Sequence, residues 1–409
     1  MHLKLQKSEV SSGFNIAITG SKSESNRLLL LKALYPKLEI ENLSNSDDTQ
    51  LMKSALQGNY EIIDVHHAGT AMRFLTAYLA VQNNREVIIT GSERMKERPI
   101  KILVDALRTL GAEITYLEKE GYPPLKIKGK TISESEIALT ANVSSQYISA
   151  LLLVAPSLKN GLKLKLEEGI TSKPYVEMTL SLLNQIGVKT NFQNNVITVL
   201  PLKTLERQTN IKVESDWSSA SYFYSIIALS DVGTSVKLSY YKKDSLQGDS
   251  ALARIYKSFG VDTIFETDGM IIQKISENQP SQAINLNLIH TPDIAQTIAV
   301  TCLGLKQSCV LTGLHTLKIK ETDRLQALKN ELEKFGAKVS ITENSLELNP
   351  KMESKKTPII QTYNDHRMAM AFAPLALKTP MVIQHPEVVS KSYPDFWSHL
   401  KCLGFKFEE

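Results

Sequence analysis

The chain repeats one pattern six times, in which an apolar helical stretch ends at a glycine and runs on toward a strand. The glycines are Gly58, Gly111, Gly187, Gly260, Gly336 and Gly404. Glycine is favoured at the end of a helix because it adopts the left-handed conformation at little steric cost. Successive glycines lie 53 to 76 residues apart, so each repeat has room for several strands and more than one helix.

A second kind of helical segment also occurs six times. These segments begin near Ser23, Thr70, Ser145, Ser218, Asp293 and Asp365. Five of the six are apolar on nearly all sides, whereas the glycine-terminated helices have only an apolar stripe, as at Leu103, Val104 and Leu107. Apolar surface all round is typical of a buried helix, and a stripe is typical of a helix on the surface of a core. The pattern favours an α/β fold with buried central helices, flanking sheets and outer helices over ordinary α/β layers without repeats.

Length and composition indicate a globular protein of two or three domains. The chain has 409 residues, of which 42% are hydrophobic and 22% charged, and no apolar stretch approaches the length of a membrane span. The first residues contain no apolar run like that of a signal peptide. We therefore expect a cytoplasmic enzyme that has no membrane partner.

The cysteines and histidines do not indicate redox or metal chemistry. Cys302, Cys309 and Cys402 fall on apolar helix or strand positions without the spacing of metal ligands, which favours reduced, structural thiols. His66 and His67 are adjacent, but no third ligand is spaced to join them. We predict no metal and no cofactor.

Basic residues cluster where the helices begin, although the net charge is only +4. The clusters lie in segments 20–27, 91–98, 171–173, 318–324, 365–367 and 390–391. Helix N-termini present unpaired N–H groups and the positive end of the dipole, so added serine, lysine and arginine side chains make sites for phosphate or carboxylate. Each cluster alone is more typical of a helix cap with solvated charges, but their joint occurrence favours anion binding.

Two other ligand classes fit the sequence less well. Gly20-Ser-Lys-Ser lacks the leading glycine and the spacing of a P-loop, and no glycine triplet of the dinucleotide type precedes a helix. Binding of nucleic acid needs a sustained basic face with stacking aromatics, yet aromatics make up only 7% of the chain. We therefore expect small-molecule anions as ligands and no nucleic-acid partner.

At these residues the chain resembles the 5-enolpyruvylshikimate-3-phosphate (EPSP) synthases over essentially its whole length. The matching motifs, in order, are Gly20-Ser-Lys-Ser-Glu-Ser-Asn-Arg27, Ala68-Gly-Thr-Ala-Met-Arg73, Arg94-Met-Lys-Glu-Arg-Pro-Ile100, Ser144-Ser-Gln146, Ser172-Lys-Pro-Tyr175, Pro292-Asp293, Lys320-Glu-Thr-Asp-Arg324, Asn364-Asp-His-Arg-Met368 and Ser390-Lys-Ser-Tyr-Pro-Asp395. One such motif would be weak, but nine in sequence leave little room for chance.

The resemblance implies two similar domains, each of three βαβαββ-like repeats around buried parallel helices, an arrangement known as an inside-out α/β barrel. By the same resemblance, residues 20–214 form the first domain and residues 1–19 with 215–409 the second. The active site would lie in the cleft between the two domains, and the protein would be a monomer.

The resemblance also implies the reaction. The enolpyruvyl group of phosphoenolpyruvate passes to the 5-hydroxyl of shikimate 3-phosphate through a tetrahedral intermediate, and inorganic phosphate is released. Desolvating two phosphates and two carboxylates requires many cationic partners, and the motifs contain them. The family's inhibitor glyphosate, which competes with phosphoenolpyruvate, is expected to inhibit this chain.

Site residues carry over from the family motif by motif. The resemblance assigns phosphoenolpyruvate to Lys22, Gly69, Arg98, Gln146, Arg324, Arg367 and Lys391. It assigns shikimate 3-phosphate to Lys22, Ser23, Arg27, Ser144, Ser145, Gln146, Ser172, Tyr175, Asp293, Thr316 and Lys320. The candidates for proton transfer are Asp293, Glu321 and Lys22, and Glu321 could instead act only through its charge.

Three positions depart from the family pattern. His67 and Thr316 each replace a usual asparagine, and Phe74 stands where proline is common. None removes a charge that the chemistry needs, although Phe74 could weaken the action of glyphosate that Gly69 favours. The alternatives left open are a UDP-N-acetylglucosamine enolpyruvyl transferase and an inactive anion-binding homologue.

Overall fold

A computed structural model of the protein describes residues 1–140, 144–167, 172–278, 283–353 and 356–408. The chain divides into two compact units. Residues Gly20–Val213 form one, which we call the contiguous unit, and Met1–Thr19 together with Glu214–Glu409 form the other, which we call the split unit.

Both helix types predicted from the sequence are present. The α-helices are α1 (Lys22–Leu34), α2 (Asp47–Gln57), α3 (Gly69–Ala80), α4 (Glu93–Lys96), α5 (Lys101–Thr109), α6 (Ser145–Val154), α7 (Lys173–Gln185), α8 (Trp217–Leu229), α9 (Leu252–Ile255), α10 (Ala295–Gly304), α11 (Arg324–Glu333), α12 (His366–Phe372) and α13 (Phe396–Cys402). Short 3₁₀ helices cover Ala155–Ser157, Gly248–Ala251, Tyr256–Phe259, Pro292–Ile294, His315–Ile319, Ala373–Leu377 and Pro386–Lys391.

The strands are short and alternate with the helices. They are β1 (His2–Leu5), β2 (Phe14–Ile16), β3 (Leu38–Glu41), β4 (Ile62–Asp64), β5 (Glu86–Thr90), β6 (Glu113–Tyr116), β7 (Leu125–Lys128), β8 (Glu136–Thr140), β9 (Leu162–Glu167), β10 (Thr190–Gln193), β11 (Val196–Val199), β12 (Thr209–Lys212), β13 (Ser235–Ser239), β14 (Val261–Glu266), β15 (Gly269–Lys274), β16 (Ile284–Asn287), β17 (Cys309–Thr312), β18 (Lys338–Ile341), β19 (Ser345–Asn349), β20 (Ile359–Ile360), β21 (Met381–Gln384) and β22 (Phe407–Glu408).

Five four-stranded sheets in the described part of the chain share one topology. Their strand orders are β4-β5-β7-β6, β8-β9-β11-β10, β2-β13-β15-β14, β16-β17-β19-β18 and β20-β21-β1-β22. In each sheet the first two strands run parallel and the other two pair antiparallel, as where Ile62 lies opposite Ile88 and Ile114 opposite Ile127. The strands bury one face, as in β9, where leucines are buried and the alternating lysines are exposed.

The repeat that contains α1 and α2 differs from the others. Its described strands are β3 and β12, which pair in parallel, and no antiparallel hairpin joins them there. Its glycine also differs: Gly58 has φ −91°, whereas the other five helix-ending glycines have φ between +73° and +105°. After Gly111, Gly187, Gly260 and Gly336 the chain enters a hairpin, and after Gly404 it enters β22, which pairs with β1. The chain after Gly58 instead enters β4 of the next repeat. The left-handed helix end predicted from the sequence is therefore wrong at Gly58 alone.

The predicted burial of the central helices is confirmed. Helices α1, α3 and α6 pack together in the contiguous unit, as do α8, α10 and α12 in the split unit. All residues of α10 are buried, and in α3 all but Thr70 are. The outer helices bury one stripe, as α5 does with Leu103, Val104 and Leu107. Each unit therefore has three central helices, and predicted site residues lie at the start of α1, α3, α6, α10 and α12.

Candidate active site

The predicted site residues of the contiguous unit lie where its helices begin. Lys22 and Ser23 open α1, Gly69 opens α3, and Ser145 and Gln146 open α6. The outer helix α7 follows Ser172, which has a left-handed φ of 55°. The repeat thus brings polar residues that are far apart in the chain to equivalent helix ends.

Arg27 is buried one turn into α1, with 2% of its surface exposed. Its guanidinium donates to the hydroxyls of Thr179 at 2.8 Å and Ser149 at 3.0 Å, and to the carbonyl oxygens of Ser23 and Tyr175 at 2.7 and 3.3 Å. These partners are neutral oxygens, so they orient the guanidinium without cancelling its charge. Burial lowers the pKa of Arg27 to about 10, despite opposing contributions from Tyr175 and Glu24.

Aromatic rings add to this environment. The guanidinium carbon of Arg27 lies 5.3 Å from the ring centre of Phe74 and 5.9 Å from that of Tyr175. Both distances are within the range of cation–π attraction. Phe74, one of the departures from the family pattern, therefore contacts a residue of the predicted site.

Lys22 contacts a carboxylate that the sequence analysis did not single out. Its Nζ lies 3.1 Å from Oδ2 of Asp48, in the first turn of α2. The other carboxylate oxygen of Asp48 lies 3.4 Å from Nε2 of His67. Asp48 is only 5% exposed, so its charge acts on both neighbours with little screening.

Gly69 faces Arg98. A Cβ built on Gly69 would lie 2.6 Å from Nη1 of Arg98, so even an alanine would push the guanidinium aside. Nε of Arg98 is buried and has no hydrogen-bond partner among the described residues. Gln146 lies near the same helix end and donates to Thr70 at 3.3 Å.

Serines complete the helix ends. Ser144 caps α6 by accepting from the backbone N–H of Gln146 at 3.3 Å, and Ser145 is 8% exposed. Ser172 is 9% exposed, and its carbonyl accepts from the N–H of Tyr175 at 3.1 Å. Thr171, in the same predicted cluster, lies outside the described residues. The hydroxyls supply neutral donors at the starts of α6 and α7.

In the split unit the predicted residues centre on Arg324, the first residue of α11. Its Nε donates to Asp365 at 2.7 Å, Nη1 to Asp293 at 2.8 Å and Nη2 to Glu321 at 2.7 Å. Arg324 is 2% exposed. Burial alone would lower its pKa, but the carboxylates of Asp365, Glu321 and Asp293 outweigh burial and raise the pKa above its ordinary value.

Asp293 receives the largest share of positive charge. Lys320 lies 3.3 Å from its Oδ1, and Nη2 of Arg367 lies 3.5 Å from its Oδ2. Burial tends to raise the pKa of Asp293, but Lys320, Arg367 and Arg324 together hold it well below its ordinary value. Asp293 is therefore ionised, and it becomes a stronger base only when anions offset the surrounding cations.

Two more predicted cations, Arg367 and Lys391, have defined partners. Arg367 donates to the backbone oxygen of Asp293 at 3.0 Å and to the hydroxyl of Ser218 at 3.2 Å. Lys391 donates to the backbone and side-chain oxygens of Asn364 at 2.6 and 2.8 Å. Each cation is 8% exposed. Each cation is thus fixed in direction by two hydrogen bonds.

A buried carboxylate beside Arg367 was not recognised from the sequence. Asp249 is 1% exposed and accepts hydrogen bonds from the hydroxyls of Ser218 and Thr291. Burial raises the pKa of Asp249, although Arg367 opposes the rise. Its partners lie 31 and 42 residues away, so no local motif pointed to it. Thr316 lies in the 3₁₀ helix before Lys320, and its hydroxyl has no hydrogen-bond partner within the described ranges.

Other predicted features concern the cysteines, metals and membranes. Cys302 and Cys309 are buried free thiols, as expected, but Cys402 is exposed because it lies on the outer side of α13 at its end. No group of three potential metal ligands occurs among the residues that the structure describes. Within the described part of the chain, none of the helices has the length and apolar character needed to span a membrane.

Comparison with known proteins identifies the family. The family model described as EPSP synthase (3-phosphoshikimate 1-carboxyvinyltransferase) matches residues 56–400. The 3-phosphoshikimate 1-carboxyvinyltransferase of Bacteroides fragilis is 46% identical over 397 residues, which covers 95% of each chain. The proteins of the same name from Mannheimia haemolytica and Haemophilus influenzae are 36% and 37% identical, with 96% of each chain covered.

Solved structures support the same fold. Two structures of EPSP synthase from Acinetobacter baumannii superpose with a TM-score of 0.80 and cover 100% of this chain. The alignments cover 99% and 100% of those chains, at 22% and 21% identity. The predicted two-domain α/β fold is thus confirmed.

Proposed function

The chain belongs to the family of EPSP synthases, and we propose that the two sets of side chains described above bind the substrates of this reaction and move its protons. The enzyme transfers the enolpyruvyl group of phosphoenolpyruvate to the 5-hydroxyl of shikimate 3-phosphate and releases phosphate. This reaction is a step of the shikimate pathway, which leads to chorismate and the aromatic amino acids.

The geometry around Arg324 is the observation that carries the proposal. One buried guanidinium holds Asp293 at 2.8 Å and Glu321 at 2.7 Å, so both candidate proton-transfer groups have fixed positions. Asp365 binds the same guanidinium from α12, so the predicted residues of two separate motifs meet at one point. A chance collection of caps and solvated charges would not share one buried cation.

We assign shikimate 3-phosphate to the hydroxyl-rich set around Arg27, together with Asp293, Thr316 and Lys320. The phosphate would bind near Arg27 and the serines at the starts of α6 and α7, because the partners of Arg27 leave its charge uncompensated. Tyr175 and Ser23 hold that guanidinium through their carbonyls. Asp293 would accept a hydrogen bond from a ring hydroxyl.

Phosphoenolpyruvate is assigned to the cations of both units. These are Lys22 and Arg98 in the contiguous unit and Arg324, Arg367 and Lys391 in the split unit. The unsatisfied Nε of Arg98 supports this assignment, because a buried donor without a partner is costly until an acceptor binds. Gly69 leaves the space that the Arg98 guanidinium occupies, and Gln146 donates to Thr70, the next residue of α3.

The proton steps follow from the charges. In the addition step the 5-hydroxyl oxygen bonds to C2 of phosphoenolpyruvate, its proton leaves to a base, and the methylene carbon gains a proton. We propose Asp293 as the base, Glu321 at the methylene, and Lys22 as a donor to the departing phosphate. Substrate anions offset the charges of Lys320 and Arg367, which raises the basicity of Asp293 when both substrates are bound. Elimination then removes a methyl proton and breaks the bond to phosphate.

The decisive experiment mixes the protein with both substrates and follows phosphate release. Release should require both substrates and should fall sharply in Glu321→Gln. The control is Glu343→Gln, which removes an exposed carboxylate of the same unit that pairs with Lys318. UDP-N-acetylglucosamine in place of shikimate 3-phosphate should give no release. Equal activity of Glu321→Gln and the native enzyme would contradict the role of Glu321.

We also propose that glyphosate inhibits the enzyme in competition with phosphoenolpyruvate. Gly69 favours this because it leaves the space that the Arg98 guanidinium occupies, and Phe74 packs against Arg27 without replacing any of the assigned cations. The rate should fall as glyphosate rises and recover with added phosphoenolpyruvate. An unchanged rate at glyphosate concentrations far above the KM of phosphoenolpyruvate would contradict this.

Three further properties concern the oligomeric state of the enzyme, its location in the cell and its need for a metal or cofactor. We propose a monomer that acts in the cytoplasm without a metal or cofactor, since the reaction transfers no electrons and the assigned cations can neutralise its anions. Light scattering should give the mass of one chain, 45.6 kDa. Activity after treatment with a chelator should match that of the untreated enzyme.

A further inference from the structure

We infer that His67 is a positioning residue, which acts through Asp48 to set how strongly Lys22 is held for substrate anions. Nε2 of His67 lies 3.4 Å from Oδ1 of Asp48, and Nζ of Lys22 lies 3.1 Å from Oδ2. One carboxylate therefore stands between an imidazole and the lysine that we assign to both substrates. The inference rests on the proposed function, because the assignment of Lys22 to the substrates is part of that proposal.

The three groups come from different elements of the contiguous unit. Lys22 opens α1, Asp48 lies in the first turn of α2, and His67 lies between β4 and α3. The side chains of Lys22 and His67 are 18% and 28% exposed, and that of Asp48 is 7% exposed. The charge interactions are therefore only partly screened by solvent.

Other charged groups lie nearby. Arg98, a further cation of the assigned site, lies against Gly69, two residues after His67. On the segment of His67 itself, the ring of His66 lies 3.8 Å from Asp64, with 62% and 48% of these side chains exposed. His66 and Asp64 thus form an exposed pair, whereas His67 faces a buried carboxylate.

The protonation state of His67 changes how strongly the carboxylate of Asp48 attracts Lys22. While His67 is neutral, the charge of Asp48 acts mainly on Lys22 and restrains it. Protonation of His67 places a cation against Asp48, which frees part of the charge of Lys22 for a substrate anion. The affinity for phosphoenolpyruvate should therefore increase as the pH falls and His67 becomes protonated.

The test compares His67→Gln with the native enzyme. Glutamine places an amide nitrogen close to the position of Nε2, so contact with Asp48 is kept while the titration is lost. The ratio of native to mutant kcat/KM for phosphoenolpyruvate, with shikimate 3-phosphate saturating, should rise about fivefold from pH 8 to pH 5.5. Taking the ratio at each pH cancels the ionisation of the substrates themselves. A ratio that does not change with pH would overturn the inference.

His66→Asn is the matched control. It removes the neighbouring imidazole, and asparagine tolerates the left-handed φ of 44° at this position. Its ratio to the native enzyme should stay constant across the same pH range. A rise equal to that of His67→Gln would assign the effect to general charge in this segment and overturn the role of His67.

A second measurement does not depend on activity. The imidazole resonance that disappears in His67→Gln is followed by NMR in the native protein and in Asp48→Asn. Removing the carboxylate should lower the titration midpoint of His67, because a neighbouring negative charge stabilises its protonated form. An unchanged midpoint would contradict the coupling. If no phosphate were released by the native enzyme, the proposed function would fail while this titration could still confirm the pairing.

Discussion

Arg27 and Arg324 are equally buried, at 2% exposure each, yet their surroundings are opposite. The partners described for Arg27 are hydroxyl and carbonyl oxygens, whereas Arg324 binds the carboxylates of Asp293, Glu321 and Asp365. Burial lowers the pKa of Arg27 to about 10, and the carboxylates raise that of Arg324 despite burial. The same residue type is thus bound by neutral oxygens in one unit and by carboxylates in the other.

This difference in hydrogen-bond partners indicates that the two arginines have different roles. An uncompensated buried cation retains attraction for an anion, which suits the binding of a phosphate. A cation surrounded by carboxylates has little attraction left, but it fixes the acidic groups that move protons. We therefore expect Arg27 to contribute mainly to affinity and Arg324 to both stability and catalysis.

The largest expected effect is that of Arg324→Gln. It leaves buried carboxylates without their cation, which costs about 3–5 kcal/mol of the free energy of unfolding. Urea unfolding monitored by circular dichroism measures the loss, and phosphate release should fall below detection. The control is Arg254→Gln, at an exposed arginine on α9 of the same unit, which should match the native protein. Equal stability of Arg324→Gln and this control would break the comparison.

Arg27→Gln should mainly weaken substrate binding. Losing a charge-assisted contact costs about 1.5–3 kcal/mol, which raises the KM for shikimate 3-phosphate about 10- to 100-fold. The free energy of unfolding should change by about 1 kcal/mol, because the lost hydrogen bonds are offset by the relief of burying a charge. Calorimetric titration with shikimate 3-phosphate checks the first expectation. A fall in stability as large as that of Arg324→Gln would show that Arg27 is compensated after all.

The pKa of Asp249 is raised and that of Asp293 is lowered, so the two residues should make the stability of the protein depend on pH in opposite ways. The pKa of Asp249 is raised in the folded state, so the folded protein binds more protons than the unfolded chain, and its stability falls as the pH rises above about 3.9. The gain in unfolding free energy of Asp249→Asn over the native protein should therefore increase from pH 4 to pH 7, by about 1.4 kcal/mol per unit of pKa shift. Urea midpoints at each pH measure it.

Asp293→Asn is the matched control for that experiment. The lowered pKa of Asp293 means that its stabilising contribution is present above about pH 3.9 and is lost as the pH falls below it. Its difference from the native protein should therefore show no slope between pH 4 and pH 7. A slope of the same sign for both mutants would refute the opposite shifts.

The smallest expected effect is that of Phe74→Leu. It removes the ring that lies 5.3 Å from the guanidinium of Arg27, and a cation–π contact of this kind contributes about 0.5–1 kcal/mol. The KM for shikimate 3-phosphate should rise about two- to fivefold while the KM for phosphoenolpyruvate stays constant. Leu75→Met, a buried substitution in the same helix, controls for altered packing. An equal rise in both KM values would assign the effect to movement of α3.

Much of this architecture could be predicted from the sequence, because buried and striped helices leave different patterns of apolar residues. The N-terminal clusters were found for a similar reason, since a cap residue and its charged neighbours are adjacent in the chain. The shortened repeat could not be predicted in this way. Its strands β3 and β12 are more than 160 residues apart in the chain, and the sequence of neither strand indicates that it pairs with the other.

Within the site, the contacts that could not be predicted are those between residues far apart in the chain. Asp249 sits in a Gly-Asp-Ser segment that resembles an ordinary turn, and only the fold brings Ser218 and Thr291 to its carboxylate. The position of Asp48 in the sequence is typical of an acidic residue that stabilises the first turn of a helix. Its contacts with Lys22 and His67 depend on tertiary structure. A sequence identifies the charged groups, but which charges compensate each other is set by packing.

The place of β1 has a consequence for the order in which the enzyme is made. This strand, at residues 2–5, pairs with β21 at 381–384 and with β22 at 407–408. During translation the contiguous unit emerges as one uninterrupted segment, so it can fold while the ribosome is still at work. Strand β1 is synthesised before the contiguous unit and its partners β21 and β22 after it, so until they are made the edge of β1 is unpaired and open to other chains. The sheet that contains β1 can therefore close only after the whole contiguous unit has been synthesised.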